Sequence, residues 1–287
     1  MLFIPVRSFG KLKLVNPRSS RLQLKAVKFV PDVVLSIFNG SCVSRRGFAI
    51  FSIQHQPASS YVAAFREILG AENVMTEAVD IEKYTIDWTT FYRGGSVVCF
   101  PRSTRDVSNI LMFCNENKIG VVPQGGNTGL VGGAVGLPGE SGNQLIMSMT
   151  KMNTVYSIDE GVLVCDAGCI LENLNTECAK KGYVVPLDLG SKGACMIGGN
   201  AATNAGGLRV LKYGSMHANI LGLEVVQADG TVLNMLRTLK KDNCGYHLPH
   251  LFIGSEGTLG VITKVAISLA MKPTSTAVVW AKVRSHL

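Results

Sequence analysis

The chain has 287 residues, 47% of them hydrophobic, and carries 28 Lys and Arg against 20 Asp and Glu, a net charge of +8. That apolar fraction is enough for a substantial core and excludes a wholly disordered chain. Residues 1–60 hold nine of the basic residues and a single acid, Asp32, which accounts for the whole excess, so the remainder is near neutral and lacks the clustered positive charge of a nucleic-acid groove.

The opening stretch is rich in Arg, Lys and Ser and interrupted by Pro5, Pro17 and Pro31, the composition of a mitochondrial presequence. Residues 1–48 are therefore expected to be a targeting segment without a fixed fold, cut near the Arg45-Arg46-Gly47-Phe48-Ala49 run. The apolar run 29–38 contains Asp32 and is too short for a membrane span, which needs about 20 apolar residues. Residues 49–95 suggest an N-terminal helical adornment, in which YVAAFREIL before Gly70 predicts a helix with Val62, Phe65, Ile68 and Leu69 on one face.

Val97–Pro101 reads as a buried strand, Ser103 and Asp106 as a reciprocal cap opening a helix, and Lys118–Pro123 as the next strand. Strand, helix and strand with short links form a βαβ unit, so the first lobe should contain parallel pairing. Further strands are expected over 144–149 and 162–168, a helix over Leu171–Lys181, and strands over 221–228 and 231–235 flanking a turn at Asp229-Gly230. An α+β domain of two subdomains over 96–271 follows, the second mainly antiparallel, with a seam between the two. Residues 272–287 look like the start of a further unit that ends almost at once.

Eight cysteines make neither a CxxC pair nor a finger spacing and read as buried, reduced thiols. His247 and His250 form an HxxH in a proline-containing loop, weak evidence for a metal, and none is expected in this chain.

Three segments carry the chemistry. The first, Pro123-Gln124-Gly125-Gly126-Asn127-Thr128-Gly129 and on to Gly133, directly follows a strand. Its glycines can turn successive N–H groups toward one point and form a nest for an anion. With no basic cluster nearby, a pyrophosphate would be held by backbone donors. The loop matches neither G-x-G-x-x-G nor G-x-x-x-x-G-K-[ST], which argues against a nicotinamide Rossmann or P-loop site. Alone, it is equally a glycine-rich turn.

The second, Leu187-Asp188 into Gly198-Gly199-Asn200, Thr203-Asn204 and Gly206-Gly207, has almost no side chain larger than Asn over its last ten residues. Such a run lets a backbone touch a flat ring or sugar phosphate; close helix packing is the alternative, though it leaves the two Asn and the Thr unexplained. The third, Glu256-Gly257 to Ile262, is a turn into a strand.

Taken together, PQGGNTGLVGG, PLDLGSKGACMIGGNAATNAGG, LKYGSMHANILGLEVVQADG, KKDNCGYH and FIGSEGTLGVIT resemble the vanillyl-alcohol-oxidase type, also called PCMH-type, of FAD domain, in the FAD-linked D-2-hydroxyacid dehydrogenase branch. The resemblance implies non-covalent FAD, with Gly125 to Gly129 on its pyrophosphate. Asp188, Gly198, Asn200, Thr203, Asn204, Gly206 and Gly207 would lie along the flavin and ribityl chain, with Gly257 and Ile262 on the adenine side. It also implies a mitochondrial matrix enzyme that oxidises a D-2-hydroxy acid, best D-2-hydroxyglutarate, by hydride transfer to flavin N5 and passes electrons to an electron-transfer flavoprotein. A substrate-binding cap and a divalent metal such as zinc belong to a C-terminal half expected to be missing here, so no catalytic residue is assigned in this chain. The chain departs from the family pattern at Met196, Cys244 and His247. A D-lactate dehydrogenase-like enzyme, a non-catalytic flavin-binding protein and a cofactor-free interaction protein are the alternatives.

Overall fold

Apolar runs and amphipathic segments build two main sheets and a small two-stranded one among the described residues. The computed structural model describes residues 58–137, 144–275 and 277–279, all within one compact unit, Ser52–Leu287. The expected targeting segment and most of the final segment lie outside the described residues.

A 3-10 turn at Ala58–Tyr61 leads into α1 (Val62–Leu69), whose Phe65 is fully buried and packs edge-on to Phe113 at 5.7 Å. Strand β1 (Val74–Met75) and helix α2 (Ala78–Thr85) follow, then β2 (Val97–Cys99) and α3 (Thr104–Glu116). Ser103 and Asp106 close a capping box on α3, satisfying N–H groups that the first turn leaves unpaired. Strands β3 (Val121–Gln124) and β4 (Leu145–Ser148) complete a sheet of order β1-β2-β4-β3. β4 pairs in parallel with both β2 and β3. The parallel pairing expected of the βαβ unit is present, but β4 lies between the two strands that α3 connects. The spacing could not show this, because β4 arrives from a loop of its own.

The expected adornment is built into this sheet: β1 pairs antiparallel with β2 and supplies one edge.

The second sheet is antiparallel throughout, in the order β5-β6-β10-β8-β9. β5 (Val155–Asp159) and β6 (Val162–Asp166) form a hairpin, and every residue of β6 is buried. Helix α4 (Leu171–Lys180), strand β7 (Tyr183–Val184) and helix α5 (Ile197–Ala202) lead on to α6 (Val210–Tyr213) and α7 (Met216–Asn219). Strands β8 (Ile220–Val226) and β9 (Val232–Met235) flank the expected turn at Asp229-Gly230, where Gly230 has φ +85°. After α8 (Pro249–Phe252), β10 (Val261–Ser268) inserts between β6 and β8, and β11 (Ala270–Met271) pairs with β7. One apolar core joins residues from both sheets, including Val97, Leu145, Leu163, Leu223 and Val265.

Seven described cysteines are free and only Cys244 is exposed. Burial pushes the thiol of Cys114 up to about 12 and that of Cys178 up to about 11, as expected of inert core sulfurs. No helix among the described residues is long and apolar enough to cross a membrane.

Phe65→Ala should cost about 3–5 kcal/mol in chemical denaturation, the range for truncating a buried aromatic. Ser103→Ala, which removes only a cap, should cost about 1 kcal/mol. Equal costs would mean that α1 packs only loosely on the core.

Candidate functional site

In an open sheet the carboxyl ends of parallel strands are where connecting loops splay apart and leave a crevice. The glycine-rich loop leaves β3 at such an end. Gln124 is 1% exposed, and its side-chain amide donates to Tyr84 O at 2.8 Å and Ala134 O at 2.7 Å, tying both ends of the loop to the end of α2. Asn127, in the left-handed region at φ 50°, donates to Ile86 O at 2.7 Å. The backbone N–H groups of Gly126 to Val131 find no acceptor among the described residues. A Cβ on Gly126 would lie 2.0 Å from Ala194 O, so here the loop backbone touches the backbone of the second segment directly.

That second segment contains an element not expected from its composition, the short helix α5. Two Gly and an Asn within six residues lower the helix propensity, and the hydrogen bonds from Ile197 N to Cys169 O and from Gly198 N to Ala167 O help to seat the helix. A Cβ on Gly198 would fall 2.4 Å from that of Ala167. Asn200 is 6% exposed, and the Thr203 hydroxyl donates back to Gly199 O at 2.9 Å.

In the third segment the N–H groups of Gly254 and Glu256 donate to Ala201 O and Ala202 O, fastening the turn to the end of α5. Glu256 has φ 52° and its carboxylate reaches toward Gly133.

These segments enclose a cavity of 460 Å³. Pro123, Gln124, Gly125, Gly126, Asn127, Thr128, Gly129, Gly198, Gly199, Asn200, Thr203, Glu256, Gly257 and Ile262 all line it. Leu187, Asp188, Asn204, Gly206 and Gly207 are not brought to the lining. Leu187 is 2% exposed in the core. The Asp188 carboxylate instead lies 3.7 Å from Arg209 and 4.0 Å from Lys192, and Arg209 also donates to Val185 O at 2.6 Å. Asn204 accepts the N–H of His217 at 3.1 Å.

Sequence reasoning missed Leu130, Val131, Met149, Ala167, Leu189, Cys195 and Val261, apolar wall residues that carry no signal until the chain is folded. Among the described residues Glu256 is the only charged member of the lining, and none is Lys or Arg. The rings of His247 and His217 both pack on that of His250 at 4.9 Å, and no group of His, Cys, Asp or Glu among the described residues could hold a metal ion.

Three buried acceptors of this lining have no partner: Gln124 Oε1, Asn127 Oδ1 and Asn200 Oδ1. Buried polar atoms are seldom left so, and each costs about 1–3 kcal/mol until a donor arrives. Residues 95–236 match the model of a family described as FAD binding domain. Those residues form a domain of that family. For an FAD-binding domain the unpaired backbone N–H groups of the glycine loop suit the pyrophosphate oxygens of the cofactor.

Over 255 residues the chain is 48% identical to a probable mitochondrial D-2-hydroxyglutarate dehydrogenase of Oryza sativa subsp. indica, covering 85% of this chain and 45% of that protein. It is 47% identical over 235 residues to a putative mitochondrial D-lactate dehydrogenase of Schizosaccharomyces pombe, covering 78% of this chain and 44% of that one. Less than half of either relative's length is thus spanned. Among solved structures, alkyldihydroxyacetonephosphate synthase superposes with a TM-score of 0.67 at 20% identity, covering 77% of this chain and 42% of that one. p-Cresol methylhydroxylase superposes with a TM-score of 0.62 at 22% identity, covering 76% of this chain and 44% of that one, so the PCMH-type α+β fold with two subdomains is this chain's fold, and FAD is its cofactor.

Gly126→Ala must push the loop away from Ala194 O, and should weaken FAD binding about tenfold or more in a fluorescence-quenching titration. Gly190→Ala meets nothing within 4 Å and should leave the affinity unchanged.

Proposed function

We propose that this chain is the cofactor-holding portion of an FAD-dependent D-2-hydroxyacid dehydrogenase, with D-2-hydroxyglutarate as the substrate and 2-oxoglutarate as the product. The carrying observation is the cavity itself, lined by a glycine loop whose backbone N–H groups from Gly126 to Val131 find no acceptor among the described residues. Bound FAD supplies the hydride acceptor. The chain's own residues bind, orient and exclude water. The loop from Gly125 to Gly129 meets the pyrophosphate, Asn200 and Thr203 lie along the ribityl and flavin portion, and Glu256, Gly257 and Ile262 lie beside the adenosine. Leu130, Val131 and Met149 add apolar surface to the lining.

The choice of substrate rests on the 48% identity to the Oryza relative, and D-lactate is favoured as the second reading by the nearly equal likeness to the Schizosaccharomyces one. Both relatives are named mitochondrial, and the basic, acid-poor start of this sequence supports the matrix as the site of action. An electron-transfer flavoprotein is the proposed acceptor, and the groups that grip substrate and any divalent metal are assigned to sequence corresponding to the remainder of the relatives.

The purified chain, mixed with FAD and desalted, should keep the visible absorption bands of oxidised flavin. In a polypeptide of the relatives' full length, D-2-hydroxyglutarate should bleach those bands faster than D-lactate does. A colourless, folded chain would refute the flavin reading, and preferential bleaching by D-lactate would replace the substrate.

A further inference from the structure

The pairing of β10 with β8 slips between Ile262 and Lys264: Ile262 lies opposite Val225 and Lys264 opposite Glu224, which leaves Thr263 as the extra residue of a bulge. Bulges bend a strand and re-aim the residues beside them. This one directly follows Val261 and Ile262 of the cavity lining.

Thr263 is fully buried, and its hydroxyl donates to Glu224 O at 3.2 Å and to Glu224 Oε1 at 2.9 Å. Its carbonyl accepts the N–H of Ala167 at 2.9 Å, and Ala167 O in turn accepts the N–H of Gly198 at 2.8 Å. Ala167 and Gly198 both line the cavity. Three separate pieces of wall, from β10, the end of β6 and α5, are thus referenced to one bulged residue.

Glu224 is 7% exposed, and a carboxylate buried that far is costly unless donors surround it. Its Oε1 takes three. Besides Thr263 these are Lys264 Nζ at 2.6 Å and the hydroxyl of Thr104, the first residue of α3. Burial pushes the carboxyl up, but the hydrogen bonds from Lys264, Thr104 and Thr263 outweigh it and hold the group below the usual carboxylate range. Lys264 also lies 5.8 Å over the ring of Tyr156, whose hydroxyl donates to Asp166 Oδ1 at 2.9 Å. One oxygen therefore ties together α3, which leads into β3 and the glycine loop, and the central strands of the second sheet.

We propose that Glu224 is a positioning residue for the cofactor site: with Thr104, Thr263 and Lys264 it fixes the bulge, and the bulge sets the backbone of Ile262, Ala167 and Gly198. Neither Glu224 nor Thr263 lines the cavity, so both act through the wall. The inference rests on the reading that FAD occupies this cavity.

The test measures three quantities on the full chain: the FAD dissociation constant, the visible circular dichroism of the bound flavin, and the melting temperature without FAD. Glu224→Gln should weaken FAD binding about tenfold, the size of effect of a lost charge-assisted hydrogen bond, and should change the flavin dichroism. Thr263→Val keeps the branched shape and removes only the hydroxyl. It should weaken binding several-fold, with Thr263→Ser restoring both affinity and dichroism. If Glu224→Gln does not fold, the Thr263 pair decides alone. Wild-type affinity and dichroism in Thr263→Val, whatever its melting temperature, would overturn the proposal and leave the network a purely structural one. Failure of the unaltered chain to bind FAD would remove the functional reading and this inference together.

Discussion

The direct contact of backbone with backbone across the seam is the constraint on which the site depends. Where Gly126 meets the carbonyl of Ala194, no side chain stands between the parallel and antiparallel subdomains, and a single methyl group there would have to displace one of them. Gly198 is packed closely against the methyl group of Ala167. Packing this close leaves little room for adjustment, since protein interiors are dense and transmit small displacements. The width of the crevice is therefore fixed by main chain, which is why a flat, extended cofactor can be gripped without long side chains.

Such a site is costly for the protein alone. Asn127 and Glu256 sit in the left-handed region, which L-residues rarely adopt, and three buried acceptors wait for donors. Strain and unmet hydrogen bonds of this kind cluster where a ligand later relieves them. The surrounding structure offsets the cost through the capped α3, the fully buried β6 and the apolar core common to both sheets.

Much of this was legible in the residues. The capping box at Ser103 and Asp106, the buried strands and the Asp229-Gly230 turn rest on local rules that tertiary structure did not override. The glycine loop was legible because its composition has few other uses directly after a strand. What escaped was non-local. No spacing announces that β4 will settle between β2 and β3, or that β10 will insert between β6 and β8. Helix α5 was hidden because Gly and Asn disfavour helices, and non-local hydrogen bonds with Ala167, Cys169, Gly254 and Glu256 hold it in place. Asp188 shows the limit of transferring a site by resemblance. The motif PLDLG is present, yet the carboxylate turns to Arg209 and Lys192 and serves the loop's own architecture.

Among the described residues no Lys or Arg lines the cavity, and this shapes how an anionic cofactor would be captured. Recognition by oriented peptide dipoles acts over short range and is little screened by dissolved ions, whereas attraction by a lysine cluster reaches farther and fades as ionic strength rises. A cofactor held in this way gains little from long-range steering while it approaches, so association would be slow and discriminating. Once seated, it would stay through changes in salt that strip phosphate ligands from basic grooves, a property suited to a prosthetic group that is loaded once and kept.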